Sequence, residues 1–143
     1  MRHVLISVVI PVFLGKHTLP ALVAELAKAA EGWDSKRLPI QLAEAIFVDD
    51  GSRDGSAQVL AGLQRQYAWL RVITLSKNFG QHPATMAGFS HTCGDWIVTL
   101  DEDRQHHPQH IQAMLARAAR DSLDVVYARP AGSVRCLPSS HPA

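Results

Sequence analysis

Asp101-Glu102-Asp103 follows directly on an apolar run, Trp96-Ile97-Val98-Thr99-Leu100. On an extended chain residues i and i+2 point the same way, so Asp101 and Asp103 are expected to converge while Glu102 faces elsewhere. Hard carboxylate oxygens suit Mg²⁺ or Mn²⁺, and Mg²⁺ commonly takes one or two carboxylates together with substrate phosphates. Taken alone, the triplet fits a solvated turn or an acid-rich helix start better, because short acidic triplets are common. The neighbouring loops change that balance.

A second acidic pair stands in Val48-Asp49-Asp50-Gly51-Ser52-Arg53-Asp54-Gly55. Carboxylates at a strand end can accept hydrogen bonds from ribose hydroxyls or base N–H groups, and the glycines let backbone approach a ligand or adopt positive φ. A plain turn with Asp54 as helix cap explains Gly51 to Gly55 equally well, but not an acidic pair directly after buried Val48. Neither G-x-G-x-x-G nor G-x-x-x-x-G-K-[ST] follows any strand, which argues against a backbone phosphate cradle. A cation at Asp101 and Asp103 could neutralise a diphosphate instead, with Lys77 adding positive charge from an adjacent loop. His106, His107 and His110 have no recognisable set of further zinc ligands and read as a polar loop and helix start. Without G-x-S-x-G, Ser52 and Ser76 read as turn residues.

The elements that must position these groups alternate in the α/β manner. The strands are continuous apolar segments, as expected when both faces are buried. Five are expected, at Leu5 to Pro11, Ala45 to Val48, Arg71 to Leu75, Asp95 to Leu100 and Asp124 to Ala128. Four helices intervene. The first follows Thr18 as N-cap with Leu19, Leu22, Val23, Leu26 and Ala30 on one face. The second is capped by Asp54 or Ser56, and carries Leu60, Leu63 and Tyr67 at helical spacing. Pro83 suits the first turn of the third, with Gly94 as its stop. Pro108 opens the fourth, with Ile111, Leu115, Ala118 and Ala119 inward. Right-handed crossovers put all strand-to-helix loops at one edge of such a sheet, where ligands bind.

With 143 residues, 47% of them hydrophobic and 19% charged, the chain is long enough for one well-filled core. A net charge of +1 and no basic block give no reason to expect nucleic acid as a partner. Cys93 and Cys136 form neither a metal spacing nor a disulfide framework, in keeping with a reducing cytoplasm. The apolar run from Val4 to Ile10 imitates a signal peptide, but Pro11 ends it and an amphipathic helix follows. No apolar stretch reaches the roughly 18 residues that a membrane span needs.

In order along the chain, Val9-Ile10-Pro11-Val12-Phe13, Val48 to Ser56, Leu75-Ser76-Lys77-Asn78-Phe79-Gly80-Gln81 and Asp101-Glu102-Asp103-Arg104-Gln105-His106-His107-Pro108 resemble family 2 glycosyltransferases. The likeness is strongest to the branch that moves sugars onto polyprenyl phosphates, such as dolichol-phosphate mannose synthase. It covers about residues 7 to 129, and four motifs in register are far more specific than one.

The resemblance implies a GT-A fold, a Rossmann-like mostly parallel sheet with flanking helices. It further implies a UDP- or GDP-sugar donor, Mg²⁺ or Mn²⁺, and transfer with inversion. By position, Pro11, Phe13, Asp49 and Asp50 would border the nucleoside and Lys77 would lie near the donor. Asp101 and Asp103 would be the catalytic DxD pair, holding the metal and the diphosphate. A polyprenyl phosphate acceptor is already anionic and needs little general-base help. The implied location is cytoplasmic, peripheral at the inner face of the membrane.

Two departures stand out. Where the family continues with Asn-Glu after Pro11-Val12-Phe13, this chain has Leu14-Gly15, so a carboxylate expected near the nucleoside is missing. The chain also stops soon after Arg129, which suggests a truncated donor-binding portion over 1–129 with a Pro-, Ser- and Ala-rich disordered tail over 130–143. The alternatives are a noncatalytic nucleotide-sugar-binding or interaction module and, more weakly, a phosphoacceptor signalling domain around Asp49-Asp50.

Overall fold

The computed structural model describes residues 2–103 and 106–128. The chain divides into two compact units, residues 1–111 and 112–143. The first contains β1 (Val4–Val12), α1 (Leu19–Ser35), β2 (Ile40–Asp49), α2 (Ser56–Gln66), β3 (Leu70–Thr74), α3 (Gln81–Phe89), β4 (Trp96–Thr99) and a 3-10 turn, Pro108–His110. The strands form one parallel sheet in the order β3-β2-β1-β4.

That order locates the binding edge. From β1 to β3 the chain steps in one direction, then α3 carries it back across to β4. Right-handed crossovers therefore put α1 and α2 on one face and α3 on the other, and the strand order reverses between β1 and β4. On the α3 side, Ile46 and Val48 pack with Ala84, Ile73, Leu75 and Ala87. Contact there is close: a Cβ on Gly88 would lie 2.4 Å from Val9 Cγ1. Leu19, Leu22, Val23, Leu26 and Trp33 of α1 are buried, so Trp33 extends the inward face that the apolar spacing outlines.

Strand ends are staggered by register. Val12 pairs with Asp49 and Asp49 with Thr74, whereas Thr99 pairs with Val9. Because β4 stops three residues below the end of β1, the segment after it runs beside Pro11 to Phe13. The Leu100 N–H donates to Val9 O at 3.1 Å, continuing the alignment.

Several elements differ from expectation. β2 begins at Ile40, five residues early, since Ile40, Leu42 and Glu44 are buried in alternation. The charge of Glu44 disguises that pattern in sequence. Its carboxylate accepts from Ser7 Oγ (2.7 Å), the Cys93 N–H (2.7 Å) and the Arg71 guanidinium. Burial pushes its pKa up, but these hydrogen bonds outweigh burial and hold it at about 2. Thr18 occupies the N-cap of α1 without a side-chain cap bond, its hydroxyl donating instead to Gly15 O. Gly94 does not stop α3, which ends at Phe89. It lets backbone pass β1, because a Cβ there would lie 2.6 Å from the Ser7 nitrogen.

The second unit, described to residue 128, carries all of α4 (Ile111–Asp121) beyond its first residue. Arg117 and Arg120 pair with Asp121 in its last turn. Ser122 at φ 50° and the Leu123 N–H donating to Ala118 O (2.9 Å) close the helix. Ala118 is buried but Ala119 is exposed, contrary to the expected inward face. No strand forms over 124–128. An apolar run becomes a strand only with a ladder partner, and Val125 and Tyr127 are exposed. The tail expected over 130–143 lies outside the described residues. Among the described residues no helix is long and apolar enough to cross a membrane.

Candidate functional site

A cavity of about 460 Å³ opens at the carboxyl edge of the first unit's sheet, at the β1/β4 reversal point. Pro11, Val12 and Phe13 form one wall and Asp101, Glu102 and Asp103 the facing one, with Asp50, Asn78, Gly80 and Gln81 completing it. Of the residues singled out by sequence, Pro11, Phe13, Asp50, Asp101 and Asp103 meet here. Asp49 and Lys77 are not in its lining.

The two strand-end acids of β2 serve the backbone. Asp49 is buried, and its Oδ1 accepts the Ser52 N–H at 3.0 Å, closing the turn. Asp50 is also buried and accepts the Phe79 N–H on Oδ1 (2.7 Å) and the Gly80 N–H on Oδ2 (2.9 Å). The Asn78 side-chain amide adds a bond to Asp50 O. These bonds fasten the β3–α3 loop to the end of β2. Gly51 allows the close approach: at φ 75°, a Cβ would lie 2.6 Å from the backbone of Lys77 and Asn78. Lys77 is exposed, and its Nζ stands 5.1 Å above the centre of the Phe79 ring, a cation–π contact.

The acidic triplet departs from the alternating geometry expected of it. β4 ends at Thr99 and the chain turns at Glu102 and Asp103, so strand alternation no longer applies and all three carboxylates border the cavity. Asp101 Oδ1 accepts from Gln81 Nε2 at 2.8 Å. Glu102 crosses to the other wall, where its Oε2 accepts the Phe13 N–H at 2.9 Å. Burial chiefly, then the neighbouring Asp103, Asp101 and Asp54 charges, push its pKa up to about 7 against the lowering effect of the Phe13 bond.

Glu102 is the residue that sequence reasoning missed. Period-two spacing directs attention away from it, but Gly15 supplies a signal. A Cβ on Gly15 would lie 3.1 Å from both Cδ and Oε2 of Glu102. In place of the carboxylate that the family pattern puts at position 15, one is brought beside it from position 102.

Side chains of the β2–α2 loop also hold the β1–α1 loop. The Leu14 N–H donates to Ser52 Oγ (3.0 Å) and the Lys16 N–H to Asp54 Oδ2 (3.2 Å). Leu14 itself adopts φ 56°, a left-handed conformation that disfavours a branched apolar side chain. Asp54 Oδ1 accepts both the amide (3.0 Å) and the hydroxyl (2.6 Å) of Ser56 at the start of α2, but neither expected residue is the N-cap, which is Gly55 at φ 95° and carries no side-chain cap bond.

Asp50, Asp101, Glu102 and Asp103 give the cavity four carboxylates, and no described lining residue is Lys or Arg. A diphosphate entering it needs compensating positive charge. Asp101 and Asp103 offer the hard oxygens that suit Mg²⁺ or Mn²⁺, and their number fits an ion that completes its shell from phosphate and water. Among the described residues no three His, Cys, Asp or Glu side chains form a ready-made metal cluster. His107 lies 6.0 Å edge-on to His110 and 3.6 Å from Glu25 Oε2.

Comparison with known proteins agrees with this architecture. The chain is 42% identical over 122 residues to an undecaprenyl-phosphate 4-deoxy-4-formamido-L-arabinose transferase of Sodalis glossinidius (strain morsitans), a match covering 85% of this chain and 35% of that protein. It therefore spans about a third of that curated relative's length. The fold is similar to S. aureus TarS, with a TM-score of 0.63 at 19% identity, covering 85% of this chain and 20% of TarS. A structure of TarS 1-349 in complex with UDP-GlcNAc gives a TM-score of 0.62 at 20% identity, covering 84% of this chain and 32% of that one. At such identity these structures speak to the fold alone, the α/β GT-A arrangement. The model of glycosyl transferase family 2 matches residues 7–140, and the chain belongs to that family.

Proposed function

We propose that this chain is the donor-binding portion of a glycosyltransferase that moves a sugar from a nucleoside diphosphate to a polyprenyl phosphate, with inversion, at the inner face of a membrane. The acid-lined cavity between the ends of β1 and β4 carries the reading, because it suits a diphosphate only in company with a cation. Family membership and the name of the curated relative supply the reaction class and the acceptor.

On this reading Pro11 and Phe13 border the nucleoside. Asp50 holds the opposite loop in place through the Phe79 and Gly80 amides. Asp101 and Asp103 would hold the divalent ion, with Gln81 orienting Asp101. When bound, that ion supplies the positive charge that stabilises a nucleoside diphosphate leaving group. The acceptor phosphate oxygen attacks the anomeric carbon already ionised, which removes the need for a base from this chain. Lys77 stands outside the cavity lining and serves the donor only as a nearby exposed charge.

Calorimetric titration with UDP-glucose and with GDP-mannose, each with Mn²⁺ and with EDTA, tests the proposal. Metal-dependent binding of either donor is expected. Binding of neither by the folded protein would defeat it, and donor binding without transfer in the full-length protein would favour a noncatalytic module.

A further inference from the structure

We infer that Glu102 is a positioning residue of the donor cavity, with Gly15 as its seat. Its carboxylate ties the Phe13 wall to the segment after β4, and the missing side chain at position 15 leaves the room in which that carboxylate lies. The inference rests on the donor-binding reading for its effect on ligands, but not for the contact itself.

The two cavity walls come from strands that pair only as far as Val9 and Thr99. Beyond Leu100 the backbone ladder no longer joins them, and the Glu102 Oε2 bond to the Phe13 N–H spans the gap at 2.9 Å. The other fastenings of this loop, from Ser52 and Asp54, come from the β2 side. Glu102 alone among these three acceptors approaches from β4, so it sets the spacing of the Phe13 wall from Asp101 and Asp103. Phe13 is 44% exposed and has little packing of its own to fix it. Gly15 is buried, and a methyl group there would stand 3.1 Å from the Glu102 carboxylate, tighter than an ordinary contact. Any side chain at position 15 therefore displaces the carboxylate or the loop.

A simpler role is also open to a carboxylate in an acidic cavity, that of one more negative charge weakening anion binding. The two roles predict opposite results for the isosteric amide. In Glu102→Gln the side-chain oxygen still accepts the Phe13 N–H while the charge is gone. In Glu102→Ala both are lost.

The test uses the whole chain and four variants, Glu102→Gln, Glu102→Ala, Gly15→Ala and the double variant Gly15→Ala/Glu102→Ala. Amide hydrogen exchange at Phe13 is read first. Exchange is expected to quicken about tenfold or more in Glu102→Ala and in Gly15→Ala, and to stay near the parent rate in Glu102→Gln. The double variant should be no faster than Glu102→Ala, since Gly15→Ala has no carboxylate left to displace. Unchanged Phe13 exchange in Glu102→Ala overturns the inference.

Titration with UDP-glucose and GDP-mannose in Mn²⁺ is read second. For whichever donor binds, Glu102→Ala and Gly15→Ala should weaken it about tenfold and Glu102→Gln should restore it. Equal tightening in Glu102→Gln and Glu102→Ala identifies Glu102 as a repelling charge and overturns its positioning role. If the parent chain binds neither donor, the donor-binding proposal and the effect on ligands fail together. The Phe13 exchange rates still decide whether Glu102 holds the loop.

Discussion

Asp49-Asp50 and Asp101-Glu102-Asp103 look alike in sequence, each a run of carboxylates directly after an apolar strand, but they have opposite surroundings. Asp49 and Asp50 are 1% and 2% exposed, and three backbone N–H groups converge on them from Ser52, Phe79 and Gly80. Asp103 is exposed and Asp101 half-buried, and both border the open cavity. The difference comes from what lies beside each strand end. β2 is an inner strand, flanked by loops that bring amides to its acids, whereas among the described residues β4 stands at the edge of the sheet, with β1 as its one neighbouring strand. Carboxylates surrounded by backbone N–H donors hold loops together; those after β4 border an open cavity.

The largest effect expected from this contrast is on stability. Asp50→Ala leaves the part-buried Phe79 and Gly80 amides without their acceptor, and is expected to destabilise by about 2–4 kcal/mol. Urea unfolding measures it, with the slope unchanged if the native state stays compact. A loss under about 1 kcal/mol accompanied by loss of donor binding would move Asp50 into the ligand-binding class and break the comparison.

Glu44 sharpens it from the other end of the sheet. It is a buried acid surrounded by donors, five residues before Asp49 on the same strand. Glu44→Gln is expected to destabilise by about 2 kcal/mol at neutral pH. Because the folded-state pKa is held at about 2, below the ordinary 4.5, the carboxylate's contribution is complete above 4.5 and fades as pH falls toward 2. Parent and variant stabilities should therefore converge across that window. A constant gap from pH 6 down to pH 2 would show that shape and not charge underlies the contribution.

The same contrast explains what the sequence made legible. Four strands, the helices between them and the edge carrying the cavity follow from apolar runs, turn residues and crossover handedness. Pro11, Phe13, Asp50, Asp101 and Asp103 were legible as a group because each stands at a strand end on that edge. Three features were hidden for physical reasons. Glu44 breaks an apolar pattern because its donors, Ser7, Arg71 and Cys93, lie in other elements. Alternation misdirects at Glu102 because it holds only while the chain stays extended, and the turn begins at that residue. Residues 124–128 have strand-like composition, but a strand also needs a neighbour, which composition does not report. Asp49 and Asp50 could not be separated from Asp101 and Asp103 because hydrogen-bond donors from distant loops leave no mark on local spacing.

The smallest expected change in stability belongs to Asp103, and for that reason its substitution is the cleanest test of the cavity. Asp103 is exposed at the turn, where even a paired carboxylate contributes little, so Asp103→Ala should alter unfolding free energy by no more than about 0.5 kcal/mol. Asp101 is less suitable, since its loss also frees Gln81 at the start of α3 and mixes a loop effect with a ligand effect. If the edge acids exist for a cation and a diphosphate, Asp103→Ala should abolish the Mn²⁺-dependent part of donor binding while circular dichroism and unfolding stay unchanged. A large loss of stability with donor binding intact would make Asp103 a structural acid like Asp50, and the division between inner-strand and edge-strand carboxylates would fall.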